Sequence, residues 1–212
     1  RYNNAMDNWK KNSAFFIGGQ SISLFGSMLV QYAIMWHITL ETRSGFVMTL
    51  SILAGFIPSL FLSPFAGVWV DRFNRKLIIV LADSFIAITT LITALLFYFG
   101  YGSILLLLIV SAFRSLGNAV HTPAVQAFIP ELVPEDKLMR VQGLNNGIQS
   151  SMMIIAPVLS AALLASFELF VIFFIDTITA ILGIFTLITF VHSTRVVKPH
   201  VGKVEYFNDI KL

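Results

Sequence analysis

The sequence predicts an all-α membrane protein with six transmembrane helices. Of its 212 residues, 57% are hydrophobic and only 12% are charged, and the mean hydropathy is +0.83. A soluble domain is nearer to half apolar and a quarter charged. Six apolar segments reach the roughly 20 residues that a helix needs to cross the hydrocarbon core, and short charged connections separate most of them. Composition and segment length therefore agree on one fold class.

The six segments can each be placed along the chain. They cover residues 14–36, 46–70, 77–99, 104–128, 141–165 and 169–192. Prolines inside spans two, four and five are compatible with a packed membrane bundle, because neighbouring helices satisfy the backbone groups that proline frees. The sequence contains no cysteine, which excludes a disulfide, a cysteine-ligated zinc and a thiol nucleophile.

Basic residues are distributed unevenly over the predicted loops. Twelve of the 14 Lys and Arg residues lie before span one, in the 71–76 and 129–140 loops, or after span six. The alternate loops contain only Arg43. Because cytoplasmic loops carry the excess of Lys and Arg, both termini are predicted to be cytoplasmic. The net charge of +3 is dispersed over these loops, and we expect no nucleic-acid partner.

The chain also carries an internal repeat. A shift of 93 residues aligns it with itself without gaps, so that Pro64 falls on Pro157 and Asp83 falls on Asp176. The third span and the sixth span start on opposite sides of the membrane, so the two copies have opposite orientation. Many secondary transporters are built from inverted repeats of three helices. The sequence therefore predicts two inverted three-helix repeats.

Three ionisable residues, Asp83, Arg114 and Asp176, lie inside the predicted spans. Such residues are costly in lipid and usually face a cavity or a partner. At about 1.5 Å of rise per residue, Arg114 lies near the midplane, between the two carboxylates in depth, and either is a candidate counter-ion. Arginine does not itself deprotonate, so it would act by shifting the proton affinity of a nearby carboxylate. For both Asp residues, a buried pair that only fixes helix packing is the alternative.

Uncharged polar side chains follow one face of spans one, four and five at helical spacing. In a membrane such faces must meet one another or a water-filled cleft. Interhelical hydrogen bonding without substrate contact is the alternative for each residue, and His121 can also titrate near neutral pH. We expect a shared passage with these candidate cavity or substrate residues: Gln20, Gln31, Asn118, His121, Asn145, Asn146 and Gln149.

The connection between spans two and three, residues 67–76, reads GVWVDRFNRK. It resembles the signature loop of the major facilitator superfamily, whose pattern is roughly G-x-x-x-D-R-x-G-R-K. Asn74 stands where the pattern has glycine, a mild departure because Asn tolerates a left-handed backbone. The glycine at the start of the pattern would let a helix end approach a neighbour closely. The matching residues are Gly67, Asp71, Arg72, Arg75 and Lys76.

Two further segments resemble the antiporters of this superfamily. Residues 114–117, RSLG, are similar to the span-four motif of proton-coupled members. Span five resembles the motif G-x8-G-x3-G-P-x2-G-G at Gly143 and Pro157, with Ala156 as a small substitute, whereas Met152 departs from it. The run from 114 to 138 is most similar to the macrolide-efflux branch of the drug:proton antiporters.

The resemblance implies one half of an alternating-access exporter in a bacterial plasma membrane. Its substrates would be lipophilic small molecules such as macrolide-type antibiotics. The proton gradient would supply the energy through Arg114, Asp83 or Asp176, with no cofactor and no metal. Asp71 would dock against the other half, while Arg72 or Arg75 would hold Asp71 or reach an acid such as Glu131. Helices three and six would lie outside the bundle, away from the cavity.

We interpret residues 1–192 as a six-helix N-terminal transporter half and residues 193–212 as the start of a cytoplasmic central linker. The expected partners are a lipophilic substrate, membrane lipid and a C-terminal six-helix half that this sequence lacks. A homodimer, a siderophore or other solute transporter, an importer and a non-transporting remnant are the alternatives. An intramembrane enzyme is disfavoured, because the sequence has no H-E-x-x-H or G-x-S-x-G motif and no paired catalytic Asp motif.

Overall fold

The computed structural model describes residues 9–192, which form six α-helices and no strand. All six helices are long and apolar enough to cross a membrane, which confirms the predicted spans. Most helices extend past the predicted apolar limits into the polar flanks. The bounds are α1 Trp9–Thr42, α2 Gly45–Arg72, α3 Arg75–Tyr98, α4 Ile104–Leu132, α5 Glu135–Ser166 and α6 Leu169–Phe190.

The short connections end one helix and cap the next. Ser44 caps the start of α2. Ser103 caps the start of α4 by accepting a hydrogen bond from the Leu106 amide at 3.2 Å. Asn74 caps α3 in the same way, accepting from the Leu77 amide at 3.2 Å. Its φ of −63° is not left-handed, so the reason we expected for tolerating Asn here was wrong. Asn74 fits because its side chain caps the helix.

The helix contacts follow the predicted repeat. α1 packs on α6 and α5, α4 packs on α3 and α2, and α3 packs on α6. Exchanging α1, α2 and α3 with α4, α5 and α6 reproduces the same set of neighbours. Each repeat has three helices that alternate in direction, so the second copy is inverted relative to the first. This is the arrangement expected of one half of a six-plus-six transporter.

Small residues set the distance between α1 and α6. A Cβ placed on Gly183 would lie 2.9 Å from the Gly19 carbonyl oxygen, and one placed on Gly26 would meet the backbone of Asp176. The close approach predicted at Gly67 is wrong for the described residues, because nothing within them lies within 4 Å of a Cβ built there.

The interior contains two hydrophobic clusters with polar side chains between them. We call the bundle end with the 73–74 and 133–134 connections the basic end. One cluster lies there around Phe16 and Phe128, and the other surrounds Ile34 and Phe173 at the opposite end. The residues between them form the buried polar layer, which consists of Gln20, Ser23, Ser27, Asp83, Thr90, Arg114, His121 and Asp176.

Helices α2 and α5 are the least buried in the bundle. In the most apolar 18-residue stretch of each helix, only 6% of α2 and 11% of α5 is buried inside the bundle, against 39–50% for the other four helices. Most of the exposed side chains of α2 are large and apolar, whereas those of α5 are so mainly between residues 153 and 159. Helices α3 and α6 each extend a polar-layer carboxylate between α1 and α4. The prediction that they lie outside the complete transporter bundle, away from the cavity, involves the other half and stays a prediction.

Candidate functional site

The first half of the polar layer is an ion pair between α4 and α6. Arg114 and Asp176 are 1% and 0% exposed, and Nη1 of Arg114 lies 2.6 Å from Oδ2 of Asp176. Arg114 also donates from Nη1 to the Thr90 hydroxyl and from Nη2 to the Ser27 carbonyl oxygen at 3.1 Å. The counter-ion left open by the sequence is therefore Asp176.

Asp176 also receives hydroxyl donors from two other helices. Ser27 of α1 donates to Oδ1 at 3.0 Å, and Thr90 of α3 lies 3.0 Å from Oδ2. Charge-assisted bonds of this kind are the stronger ones in proteins. The arrangement joins four helices through one carboxylate, although Nε of Arg114 has no hydrogen-bond partner among the described residues. The pair therefore fixes helix packing at this depth.

The second half of the layer surrounds Asp83 of α3. His121 Nε2 lies 3.2 Å from Asp83 Oδ1 and 2.9 Å from Gln20 Oε1. Both of these oxygens accept hydrogen bonds when Asp83 is ionised, so we assign the Nε2 proton to His121 from the network. Ser23 donates to the same Asp83 oxygen at 3.3 Å, whereas Oδ2 is buried with no partner among the described residues.

The two carboxylates occupy equivalent positions in the repeat. Asp83 and Asp176 are 93 residues apart, and each inserts between α1 and α4. In each case α1 supplies a serine and α4 supplies a nitrogen base, Arg114 for one and His121 for the other. These bases are seven residues apart, about two helical turns along one face. The predicted meeting of the α1 and α4 polar faces is confirmed.

A small polar cavity of about 50 Å³ adjoins the second half of the layer, between α1, α4 and α5. This volume is large enough to hold a water molecule. Asn145 is buried there, and its Nδ2, like Nε2 of Gln20, has no partner among the described residues. Of the predicted passage residues, the cavity wall includes Gln20, His121, Asn145 and Gln149.

The other predicted passage residues lie elsewhere. Gln31 is half-buried beside α2, where its Nε2 comes within 3.1 Å of a Cβ built on Gly55. Asn118 is half-buried and Asn146 is exposed. Sequence reasoning missed Thr90, although its position seven residues after Asp83 puts it on the same helix face. That spacing was the signal that could have found it.

At the basic end, Arg75 ties the signature loop to α4. Its Nη1 lies 2.9 Å from Oε1 of the buried Glu131 and 3.0 Å from the Ala127 carbonyl oxygen. The predicted contact with Glu131 is confirmed for Arg75. Asp71 lies 3.7 Å from Nη2 of the same arginine, and its side chain is 76% exposed. The bundle therefore leaves this carboxylate accessible.

The other two bases of the loop lie close to the bundle. Lys76 donates to the Val191 carbonyl oxygen at 2.6 Å, at the C-terminal end of α6, where a cation also favours the helix dipole. Arg72 is partly buried at the end of α2. The loop thus links α2, α3, α4 and α6 at one end of the bundle.

The predicted antiporter-motif residues of α5 fall into two groups. Ala156 is fully buried and Pro157 is partly buried. Ser160, one turn further on, donates to the Leu29 carbonyl oxygen of α1 at 2.9 Å. Gly143 is exposed, and nothing in the described chain lies within 4 Å of a Cβ built there. Within the described bundle, only the second part of the motif, from Ala156 onward, is packed against a neighbouring helix.

The Major Facilitator Superfamily sequence model matches residues 14–207 of this chain. The chain belongs to the major facilitator superfamily. The members to which it is similar are transporters rather than enzymes, and they are bacterial. The facilitator chain is therefore a multi-pass membrane protein with half of the facilitator fold.

Two macrolide efflux proteins are among the relatives. The chain is 35% identical to macrolide efflux protein A of Streptococcus pyogenes over 85% of its length and 44% of that protein, within its N-terminal half. It is also 35% identical to macrolide efflux protein A of Enterococcus faecalis over 68% of the chain and 45% of that protein. A staphyloferrin A transporter of Staphylococcus aureus is 25% identical over 62% of the chain and 33% of that protein. The chain spans less than half the length of these relatives.

Proposed function

We propose that this facilitator chain acts as the N-terminal half of a proton-coupled exporter of lipophilic small molecules, such as macrolide-type antibiotics, that works by alternating access. The observation that carries the proposal is the buried polar layer. Two carboxylates and an arginine lie at mid-depth of a six-helix membrane bundle, where ionisable side chains usually serve transport or proton transfer. The likeness to two macrolide efflux proteins supports export as the direction.

Helices α2 and α5 suit a contact with a second six-helix half. Helix α2 exposes a large apolar face, and α5 exposes one between residues 153 and 159. α5 also exposes Asn146, next in sequence to the cavity residue Asn145. A lipophilic substrate could bind between such faces, with the amides near Asn145 and Gln149 supplying its few polar contacts. Membrane lipid would cover the remaining apolar surface.

Asp71 is the part of this half best placed to hold the closed basic end. Its exposed carboxylate can dock against a helix end of the other half, while Arg75 keeps the loop seated on Glu131. The positive-inside pattern of the sequence supports a cytoplasmic position for this end and for both termini. The latch then acts when the transporter opens outward.

Export can be tested in a macrolide-sensitive bacterium that expresses the protein from its complete coding region. We expect lower steady-state accumulation of a radiolabelled macrolide, and a protonophore should abolish the difference from cells with an empty vector. Equal accumulation in both strains would contradict macrolide export. A siderophore transporter, the alternative that the staphyloferrin A transporter relative favours, would instead change the cellular content of labelled staphyloferrin A.

A further inference from the structure

The polar layer contains two carboxylates, and among the described residues only one of them faces a permanent cation. Asp176 is paired with Arg114, whose guanidinium stays protonated in proteins. Asp83 is paired with His121, the kind of side chain whose charge changes near neutral pH. From this difference we propose that the Asp83–His121 pair is the proton-binding site of this half, and that the Arg114–Asp176 pair stays neutral and structural. This assignment rests on the proposed function for its role in export.

The charge balance of the layer supports the assignment. With His121 neutral, the layer holds two carboxylates and one guanidinium and carries a net negative charge. One proton, on either Asp83 or His121, makes it neutral. A net charge at this depth is costly, and buried ionisable groups relieve such a cost by neutralising. The Arg114–Asp176 pair offers no such adjustment, because arginine cannot release its proton.

Atoms that can accept the proton are present at the second pair. Oδ2 of Asp83 is buried and has no hydrogen-bond partner among the described residues. Nε2 of His121 already donates to Gln20 and Asp83, so protonation of the imidazole would take place at Nδ1. Either acceptor would take the proton from a hydronium ion and leave water behind.

A polar cavity with room for water adjoins this pair. His121 and Gln20 line the polar cavity of about 50 Å³. The neighbours of the pair are otherwise uncharged among the described residues: Ser23 and Gln20 come from α1, and Asn145 and Gln149 of α5 line the cavity. Closing the cavity to water favours the neutral, protonated pair, whereas opening it lets the proton leave. That difference is what an alternating-access cycle needs from a proton site.

The site can be tested without substrate by histidine titration. The protein, labelled with 15N at its four histidines, is reconstituted in nanodiscs and followed by NMR from pH 5 to 9. The signal lost in His121→Gln belongs to His121; if that variant does not fold, Gln variants of the other three histidines assign it by elimination. We expect the His121 signal to change with pH in this range, and Asp83→Asn to displace or remove that change, because the opposite charge is lost.

Two controls keep this titration specific. His37→Gln removes a histidine near the C-terminal end of α1, away from the basic end, and should leave the His121 midpoint unchanged. Asp83→Glu keeps the charge and should move it less than Asp83→Asn. Protonation of either Asp83 or His121 changes the His121 signal, because the two side chains are in contact. A signal that stays constant between pH 5 and 9, or a pH-dependent change that Asp83→Asn leaves in place, would overturn the proposal.

Flux in proteoliposomes tests how the proton is used. Asp83→Asn and His121→Gln should lose stimulation of macrolide flux by an imposed pH gradient, whereas the control variant His37→Gln should keep it. Gradient stimulation that survives in both variants would overturn the assignment. If wild type moves no macrolide in either assay while His121 titrates as expected, the proposed export function fails and the proton site stands.

Discussion

Replacing Arg114 alone should destabilise the bundle more than replacing Arg114 and Asp176 together. Arg114→Gln leaves Asp176, which is fully buried, without its cation. Breaking one side of a buried pair usually costs 3–5 kcal/mol, because the remaining charge is uncompensated. The Ser27 and Thr90 hydroxyls still contact Asp176, and each such bond contributes about 1 kcal/mol. We therefore expect a loss of about 3 kcal/mol, at the lower end of that range.

The double variant Arg114→Gln/Asp176→Asn removes both charges and keeps side chains of similar size. The α4–α6 contact then carries no charge and needs no cation, and replacing a buried ion pair by uncharged side chains is often tolerated. We expect it to lie within about 1.5 kcal/mol of wild type, so that the second substitution restores stability to the first. The unfolding of purified protein in mixed micelles, followed by far-UV circular dichroism, gives the three free energies.

The comparison has a clear contrary outcome. A double variant no more stable than Arg114→Gln would mean that the two side chains act independently, and that the 2.6 Å pair does not hold the four helices together. Ser111→Ala serves as the matched control, because Ser111 is buried on the same helix and its hydroxyl has no partner among the described residues. It should cost less than about 1 kcal/mol.

Three further predictions follow from the loop and the helix contacts. Asp71→Asn should abolish export while membrane abundance on immunoblots stays normal, because the exposed carboxylate acts as the latch; normal efflux would contradict this. Gly183→Ala should lower unfolding stability by about 1–3 kcal/mol, because α1 leaves no room for a methyl group, whereas Gly143→Ala, with open space around it, should not destabilise the protein. Asn74→Ala should cost about 1 kcal/mol in the same assay by removing the cap on the Leu77 amide, and an unchanged midpoint would exclude that role.

Several features of the fold were predictable because they depend on chain composition and local spacing. A run of about 20 apolar residues has few stable states other than a membrane helix, so the six spans agree with the helices found. The 93-residue repeat was readable because Asp and Pro are rare in apolar segments. The resemblance to the facilitator signature loop suggested that Arg72 or Arg75 reaches an acid such as Glu131, and the structure shows this contact for Arg75.

Other features depend on rotation and close packing, which spacing does not define. The depth of Arg114 left two candidate counter-ions, and only the rotation of α6 toward α4 selects Asp176. Asn74 looked tolerable for its backbone freedom but serves as a helix cap. Gly67 looked like a contact point, yet the described chain leaves space around it.

The amino-acid sequence alone was enough to predict a six-helix membrane bundle of two inverted three-helix repeats, with three ionisable residues inside its spans. Hydrophobic length and residue type are enough for that, because lipid admits so few backbone arrangements. The tertiary structure decided which charge neutralises which. Helix rotation and the close contact of α1 with α6 bring a permanent cation to one repeat-related carboxylate and a titratable histidine to the other.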